Sequence, residues 1–215
     1  MVAKSLPKPK KRPTQDRAKF TLQAIYDAYV RIWRARGVAA VTMRNVAEEA
    51  GFAIGTLYEY FPNITALHSG YIRHTIDTMT ARIDREVVAP PGLTWQARVG
   101  LMVRIICGVD EQTAFFDGGM MSLVGSVAEP RHHHRVFAEI TARWAAMFAA
   151  CKDLQPTPDA GRVEALVMMV WGARRYHLLL HPDARVTGAW VGEIEFFCVR
   201  ALTEAAGREA ARGLR

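Results

Sequence analysis

The chain lacks any apolar run that approaches the ~20 residues required for a membrane-spanning helix. Its basic N-terminus is not followed by the apolar stretch of a secretory signal. We therefore expect neither membrane insertion nor secretion, and we predict a cytoplasmic protein. The three cysteines, Cys107, Cys151 and Cys198, are odd in number and widely spaced. This spacing fits neither a disulfide framework nor a zinc site, so they are predicted to be reduced, mostly buried thiols.

Three signatures of enzymes are also missing: the nucleophile elbow Gly-x-Ser-x-Gly, the P-loop and the dinucleotide fingerprint. Acidic residues 110 and 111 are interpreted as first-turn acids of a helix rather than as catalytic groups. We predict no catalytic residue and no cofactor. An enzyme that transforms small molecules remains the alternative hypothesis.

Two groups of histidines invite a metal interpretation. Residues 132–134 are consecutive histidines, and successive helical side chains point about 100° apart, so the three cannot converge on one ion. His177 and His181 share a helix face at i, i+4, but no Glu and no third ligand accompany them at helical spacing. The sequence therefore predicts no metal site.

Lysine is scarce outside the N-terminus, because five of the six lysines lie within residues 1–19. This segment carries a net charge of +6 out of +7 for the chain. Residues 1–13 contain three prolines and little apolar surface to offset the entropy of ordering, which predicts a disordered basic arm. Such an arm is typical of proteins that approach phosphate, although a merely solubilising tail is the alternative.

The chain shows neither the alternation of a half-buried strand nor an internal repeat, and it is predicted to be all-α. Thr157 and Pro158 give the clearest helix start in the second half, as cap and first residue. The predicted helices cover residues 14–37, 42–50, 53–60, 63–88, 94–108, 113–127, 132–151, 158–181 and 188–212.

The segment from residue 42 to residue 61 has the pattern of a helix-turn-helix. Thr42 can cap the first helix through its hydroxyl, and Gly51 can adopt the positive φ of a sharp turn. Leu57 and Phe61 recur at i, i+4 and can bury a second helix against the first. The positions predicted to face outward are Ile54, Gly55, Thr56, Tyr58 and Tyr60.

These outward positions are unusual for a helix exposed to solvent, where Lys, Glu or Gln are common. A glycine permits close backbone approach, and hydroxyl groups can donate hydrogen bonds to phosphate. The pattern therefore favours a DNA-binding helix-turn-helix over a purely structural helical hairpin. A protein that binds any duplex equally, without reading sequence, remains a further alternative.

The chain resembles the N-terminal signature of the TetR/AcrR family of bacterial transcriptional regulators. The matching runs are Ala47-Glu48-Glu49-Ala50-Gly51-Phe52 and Gly55-Thr56-Leu57-Tyr58-Glu59-Tyr60-Phe61. The resemblance implies a homodimer on a palindromic operator in double-stranded DNA, acting as a repressor that a small, largely apolar effector releases. It also implies a three-helix DNA-binding domain at residues 14–67 and a larger helical domain for effector binding and dimerisation at 68–215.

The resemblance also assigns roles to residues. The implied phosphate contacts are Thr42, Thr56, Tyr58 and Tyr60, and the implied base-facing set is Arg44, Ala53, Ile54 and Gly55. For Arg44, a phosphate contact remains an equal alternative. Ile64 stands where the family commonly has Lys, so one phosphate contact is expected to be missing.

The second half is rich in methionine and aromatic residues, which can form an ordinary core or line an adaptable apolar cavity. As candidates for the effector pocket we single out Met102, Ile105, Phe115, Phe116, Met120, Phe137, Trp144, Met168, Trp171 and Tyr176. By the resemblance, the last two helices would pair with those of a second subunit. The predicted interface residues are Leu166, Val170, Ala173, Val191, Ile194, Phe197, Cys198 and Ala201.

Overall fold

The computed structural model describes residues 16–110, 112–182 and 184–213, with side chains up to Ala205. The all-α prediction is confirmed, since this part of the chain is helical and contains no strand. The predicted basic arm, residues 1–13, lies outside the described residues. The helices are α1 Asp16–Arg36, α2 Met43–Ala50, α3 Ile54–Tyr60, α4 Ile64–Ile83, α5 Trp95–Cys107, α6 Gly118–Val127, α7 Pro130–Ala149, α8 Ala160–Leu180 and α9 Gly188–Gly213.

The chain divides into two compact units. The first contains the residues up to His74 together with Leu123–Ala128, and the second contains Thr75–Ser122 and the residues from Glu129 onward. The division falls inside α4, whereas the sequence analysis placed a domain boundary after residue 67. The assignment of separate roles to the two domains stays a prediction.

In the N-terminal unit, α1 packs against α2 and is tied to α4 by buried aromatic contacts. The Tyr29 hydroxyl lies 2.9 Å from His68 Nδ1, and the Tyr29 ring stacks on Tyr71 at a centroid distance of 4.7 Å. On the surface, Arg31 Nε donates to Glu49 Oε1 over 2.6 Å and joins α1 to α2. These contacts join α1 to α4 and to α2. They therefore support the two short helices, α2 and α3, that lie between α1 and α4 in the sequence.

In the second unit, α5 packs against α7, α8 and α9, and α7 also packs against α8. The buried Arg98 on α5 donates to the carbonyl oxygens of Val87, Val88 and Pro90, which satisfies backbone acceptors after the π-helical turn Asp84–Val88. The three cysteines are buried and free, as predicted. No described helix is long and apolar enough to cross a membrane.

The predicted start of α6 at Thr113 is wrong, since the helix begins at Gly118. The true cap is Asp117, whose Oδ1 accepts from the Met120 amide over 2.8 Å. Thr113 instead donates to Asp110 Oδ1, and Asp110 accepts from both Arg82 Nη atoms over 2.6 and 2.7 Å. Asp110 is therefore an ion-pair partner of α4 and not a first-turn acid of α6, because the salt bridge fixes the intervening segment in an irregular conformation.

Two other helix starts also differ from prediction. α8 is capped by Asp159, whose Oδ1 accepts from the Arg162 amide over 2.7 Å, and not by Thr157. α7 begins at Pro130, two residues before the predicted start, because a capping box closes its first turn: His132 Nδ1 accepts from the Glu129 amide over 3.1 Å.

Candidate nucleic-acid interface and the helical unit

The first helix of the predicted motif, α2, is capped by Thr42 and ended by Gly51. Thr42 Oγ1 accepts from the Asn45 amide over 3.1 Å, so the predicted cap is confirmed. Gly51 ends α2 with φ 73° in the left-handed region. The amides of Phe52 and Gly51 donate to the carbonyls of Ala47 and Glu48, which is a Schellman motif.

The second helix, α3, is short and lies against α2 through one apolar side. Leu57 and Phe61 are completely buried, and Val46 and Ala47 on α2 are buried as well. Ala53 precedes α3 in an extended conformation, with φ −62° and ψ 142°. The two helices thus form the predicted helix-turn-helix, and the opposite side of α3 is free.

The predicted DNA-contact residues are mostly on this free side. Ile54 and Tyr58 are 41% and 44% exposed, Thr56 is half-buried, and the remainder, Thr42, Arg44, Ala53 and Gly55, are exposed. A Cβ added to Gly55 would meet nothing within 4 Å. The surface therefore offers hydroxyl groups, small side chains and one guanidinium, which suit phosphate oxygens and base edges.

Tyr60 does not face outward as predicted. Its side chain is 6% exposed, and its ring centroid lies 6.5 Å from that of Phe61. Residue 60 follows Leu57 by three positions and therefore lies on the same side of the helix. The prediction was wrong because it grouped Tyr60 with Tyr58, although residues two apart point in different directions on a helix.

The helix-turn-helix lies within a segment that matches a known protein family. Residues 25–69 match the family described as bacterial regulatory proteins, tetR family. These residues thus form a TetR-type DNA-binding segment. This regulator is similar to the HTH-type transcriptional repressor KstR of Mycolicibacterium smegmatis, with 28% identity over 152 residues that cover 68% of this chain and 71% of that protein. It also matches KstR of Mycobacterium tuberculosis, with 39% identity over 79 residues, or 37% of this chain and 35% of that protein.

Solved structures agree on the fold. A TetR-family regulator from Mesorhizobium loti has a TM-score of 0.66 at 15% identity, covering 89% of this chain and 98% of its own. A transcriptional regulator from Rhodococcus sp. has a TM-score of 0.61 at 15% identity, covering 86% and 97%. These structures confirm the expected fold. The matched N-terminal segment and the repressor relatives identify the protein as a DNA-binding transcriptional regulator.

The predicted effector-pocket residues of the regulator fall into three groups. Five are buried: Met102, Ile105, Met120, Trp144 and Trp171. Phe115, Phe116 and Phe137 are half-buried. Met168 and Tyr176, in contrast, are 57% and 64% exposed, so they cannot line an internal pocket of this chain. Both were misassigned because α8 is apolar on two sides, and periodicity alone cannot tell which side is internal.

The predicted dimer-interface residues are affected by the same ambiguity. Leu166, Val170, Val191 and Cys198 are buried inside their own chain and cannot contact a second subunit. Ala173 and Ile194 are half-buried, whereas Phe197 and Ala201 are exposed. The exposed apolar surface, which we call the α8–α9 face, consists of Met168, Met169, Tyr176, Leu179, Leu180, Phe196 and Phe197.

The histidines of the second unit do not form a metal site among the described residues. The rings of His177 and His181 are 5.0 Å apart, and Trp190 lies 4.4 Å from His177. The pKa of His177 is lowered from its ordinary value, mainly by burial. Among the described residues, no three His, Cys, Asp or Glu side chains are grouped as metal ligands.

One buried residue of the regulator was missed altogether. Arg174 on α8 is 7% exposed and lies against Phe116 and Trp171. Sequence periodicity places an arginine on the surface by default, and no local signal marks this one as internal.

Proposed function

We propose that this regulator is a cytoplasmic homodimer that represses transcription from a palindromic operator and is released by a small, largely apolar effector. Residues 14–67 would form the DNA-binding domain and 68–215 the effector-binding and dimerisation domain. The observation that carries the proposal is the free side of α3 opposite Leu57 and Phe61. Repression follows the relatives, which are named transcriptional repressors.

On DNA, the recognition helix α3 would enter the major groove. Ala53, Ile54 and Gly55 would face the bases, together with Arg44, because small and apolar groups can contact thymine methyls. Thr42, Thr56 and Tyr58 would donate to phosphate, while buried Tyr60 is withdrawn from this set. Two copies on a palindrome would reach half-sites about 34 Å apart, or a small multiple of that distance.

The α8–α9 face supports the homodimer. Every exposed large hydrophobic side chain described in the second unit lies on α8 or α9. Exposed apolar side chains concentrated on two helices are typical of an interaction site. Two copies that bury these helices against each other would form a four-helix interface, with Phe197 and Ala201 of the predicted set taking part.

The buried and half-buried aromatic and methionine residues around α5, α7 and α8 support a largely apolar effector. Methionine fills irregular space and tolerates ligands of varied shape. Release from DNA requires that the effector bind one arrangement of the dimer more tightly than the other, because equal affinity for both shifts nothing.

Selection of bound sequences from random duplex DNA tests the proposal. We expect the selected sequences to share a palindromic consensus. A metabolite library can then be screened for compounds that release the protein from that DNA. Enrichment of no sequence, with equal binding to all duplexes, would indicate a nonspecific DNA-binding protein. Turnover of a library compound in the absence of DNA would instead favour the enzyme alternative.

A further inference from the structure

Arg174 is a buried cation with no counter-charge in the part of the chain that the structure describes. Its side chain is 7% exposed, and among the described residues it has no ion pair and its Nε has no hydrogen-bond partner. The guanidinium carbon lies 5.1 Å from the ring centroid of Phe116 and 5.3 Å from that of Trp171. These rings attract the cation but cannot accept its hydrogen bonds in the plane of the guanidinium.

Two other buried arginines of the same unit have several oxygen partners, although the Nε of Arg98 also has none among the described residues. Arg82 donates to both carboxylate oxygens of Asp110 and, over 2.8 Å, to Glu86. Arg98 donates to three backbone carbonyls. An unpaired buried charge is strongly unfavourable. Arg174 differs from both of these arginines, because neither a carboxylate nor a carbonyl oxygen accompanies its guanidinium among the described residues.

The charge on Arg174 persists at neutral pH, and no described neighbour neutralises it. Burial lowers the pKa of Arg174 to about 10, which still leaves the guanidinium protonated at pH 7. Cys107 is close enough to interact, but burial raises the pKa of its thiol to about 12, so the sulfur is uncharged. Among the described residues no anion balances this charge, so a bound anion can supply the missing counter-charge.

The surroundings of Arg174 are held in place at both ends of the segment between α5 and α6. Asp110 and Thr113 are bound to Arg82 at the start of this segment. At its end, a Cβ on Gly118 would overlap Pro182 Cα and the carbonyl oxygen of Leu178, so the backbones approach closely. Phe116 lies between these two anchors, in irregular structure, and can be displaced from the guanidinium without breaking a helix.

We propose that Arg174 binds the anionic head group of the effector, and that this head group is a carboxylate on an apolar body. The inference rests on the effector binding of the proposed function and names the chemical class of the ligand. A carboxylate matches the fork of the guanidinium with two parallel hydrogen bonds. A single negative charge neutralises the site, whereas a phosphate dianion would leave excess charge against Phe116 and Trp171. The same rings would contact the apolar body.

Thermal unfolding of the full chain tests this assignment without DNA. Wild type, Arg174→Met and the control Arg175→Met are each heated with octanoate, decanoate, the matching alcohols and octyl phosphate. Arg175 is next to Arg174 on α8 and half-buried, so its replacement removes the same charge without removing the proposed contact.

We expect octanoate or decanoate to raise the unfolding temperature of wild type and of Arg175→Met more than the alcohols and octyl phosphate do. In Arg174→Met, carboxylate affinity should fall about 10- to 100-fold, as expected for the loss of hydrogen bonds to a charged group. Without ligand, Arg174→Met should unfold at the same or a higher temperature than wild type, because an unpaired buried charge has been removed.

Several results would overturn the assignment. They are equal stabilisation by carboxylates and alcohols, stronger stabilisation by octyl phosphate, an unchanged carboxylate response in Arg174→Met, and a destabilised or unfolded Arg174→Met. The last would show that the guanidinium is structural. Failure to find an operator would count against the proposed function alone, whereas an operator-binding protein that ignores carboxylates would contradict only this inference.

Discussion

Gly55 and Gly70 both lie inside helices of the N-terminal unit, but a side chain at the two positions would meet different surroundings. A Cβ on Gly70 would lie 2.6 Å from Phe61 Cε1 and 3.1 Å from the Tyr26 hydroxyl. Phe61 is completely buried, so any shift of its ring would disturb the core around it. Gly55 is open to solvent. One glycine therefore serves packing, and the other leaves space for a ligand such as DNA.

Gly70→Ala should lower the free energy of unfolding by about 1–3 kcal/mol, because an overpacked core must shift. Gly55→Ala should leave stability unchanged or raise it by up to about 1 kcal/mol, since alanine favours the helix, while it weakens operator binding. Urea unfolding and DNA titration of both variants check the contrast. If Gly55→Ala bound the operator as wild type does, α3 would not approach DNA closely at this position.

Arg44 and Tyr58 are both exposed beside the motif, yet their proposed roles differ. Arg44→Ala should relax the preference at one base pair of each half-site, since a bidentate contact from Arg to guanine contributes about 1–3 kcal/mol of discrimination. Tyr58→Phe should weaken all duplexes by a similar factor, because phosphate contacts do not read sequence. Titration against single-base operator variants distinguishes the two. Uniform loss in Arg44→Ala would identify a phosphate contact instead.

At the scale of elements, α1 and α4 are joined through a titratable contact. The Tyr29 hydroxyl and His68 Nδ1 are 2.9 Å apart and buried. Burial lowers the pKa of His68 below its ordinary value, so the folded state holds a neutral ring. The unfolded chain binds a proton near pH 6.5, and stability must fall as the pH drops below that value, until the folded state is protonated as well.

His68→Asn should reduce this loss of stability between pH 7 and pH 5, by at most about 1.4 kcal/mol per pH unit for one proton. Some dependence should remain, because burial also lowers the pKa values of His133 and His177. The matched control is His134→Asn on the exposed surface of α7. Urea unfolding at each pH gives the slopes, and an equal slope in His68→Asn and wild type would refute the role of His68.

At the scale of the whole molecule, the α8–α9 face is predicted to hold the dimer in solution without DNA. Phe197→Glu places a charge at a side chain that is 54% exposed in the single chain, and it should shift the protein to monomers and reduce operator affinity. Phe20→Glu is the control, since Phe20 is 72% exposed on α1. Light scattering at several concentrations measures the change. A dimeric Phe197→Glu, or a monomeric Phe20→Glu, would contradict this interface.

Much of the DNA-binding motif is determined by neighbours in sequence and was predictable for that reason. Thr42 caps α2, Gly51 ends it, and Asn63 Oδ1 accepts from the Ala66 amide at the start of α4, as the residue types indicate. Leu57 and Phe61 are buried because their spacing gives α3 a single apolar side. Each of these features depends on interactions within one turn of helix or between adjacent turns.

Tertiary structure decided the features whose partners are distant in sequence. α6 begins at Gly118 because Asp110 binds Arg82, and Arg174 is internal although its residue type predicts a surface position. The apolar residues of α8 occur on two sides of the helix, and both sides satisfy the same periodicity. Only packing against α5 and α7 determines that Leu166 and Val170 are internal while Met168 and Tyr176 remain exposed.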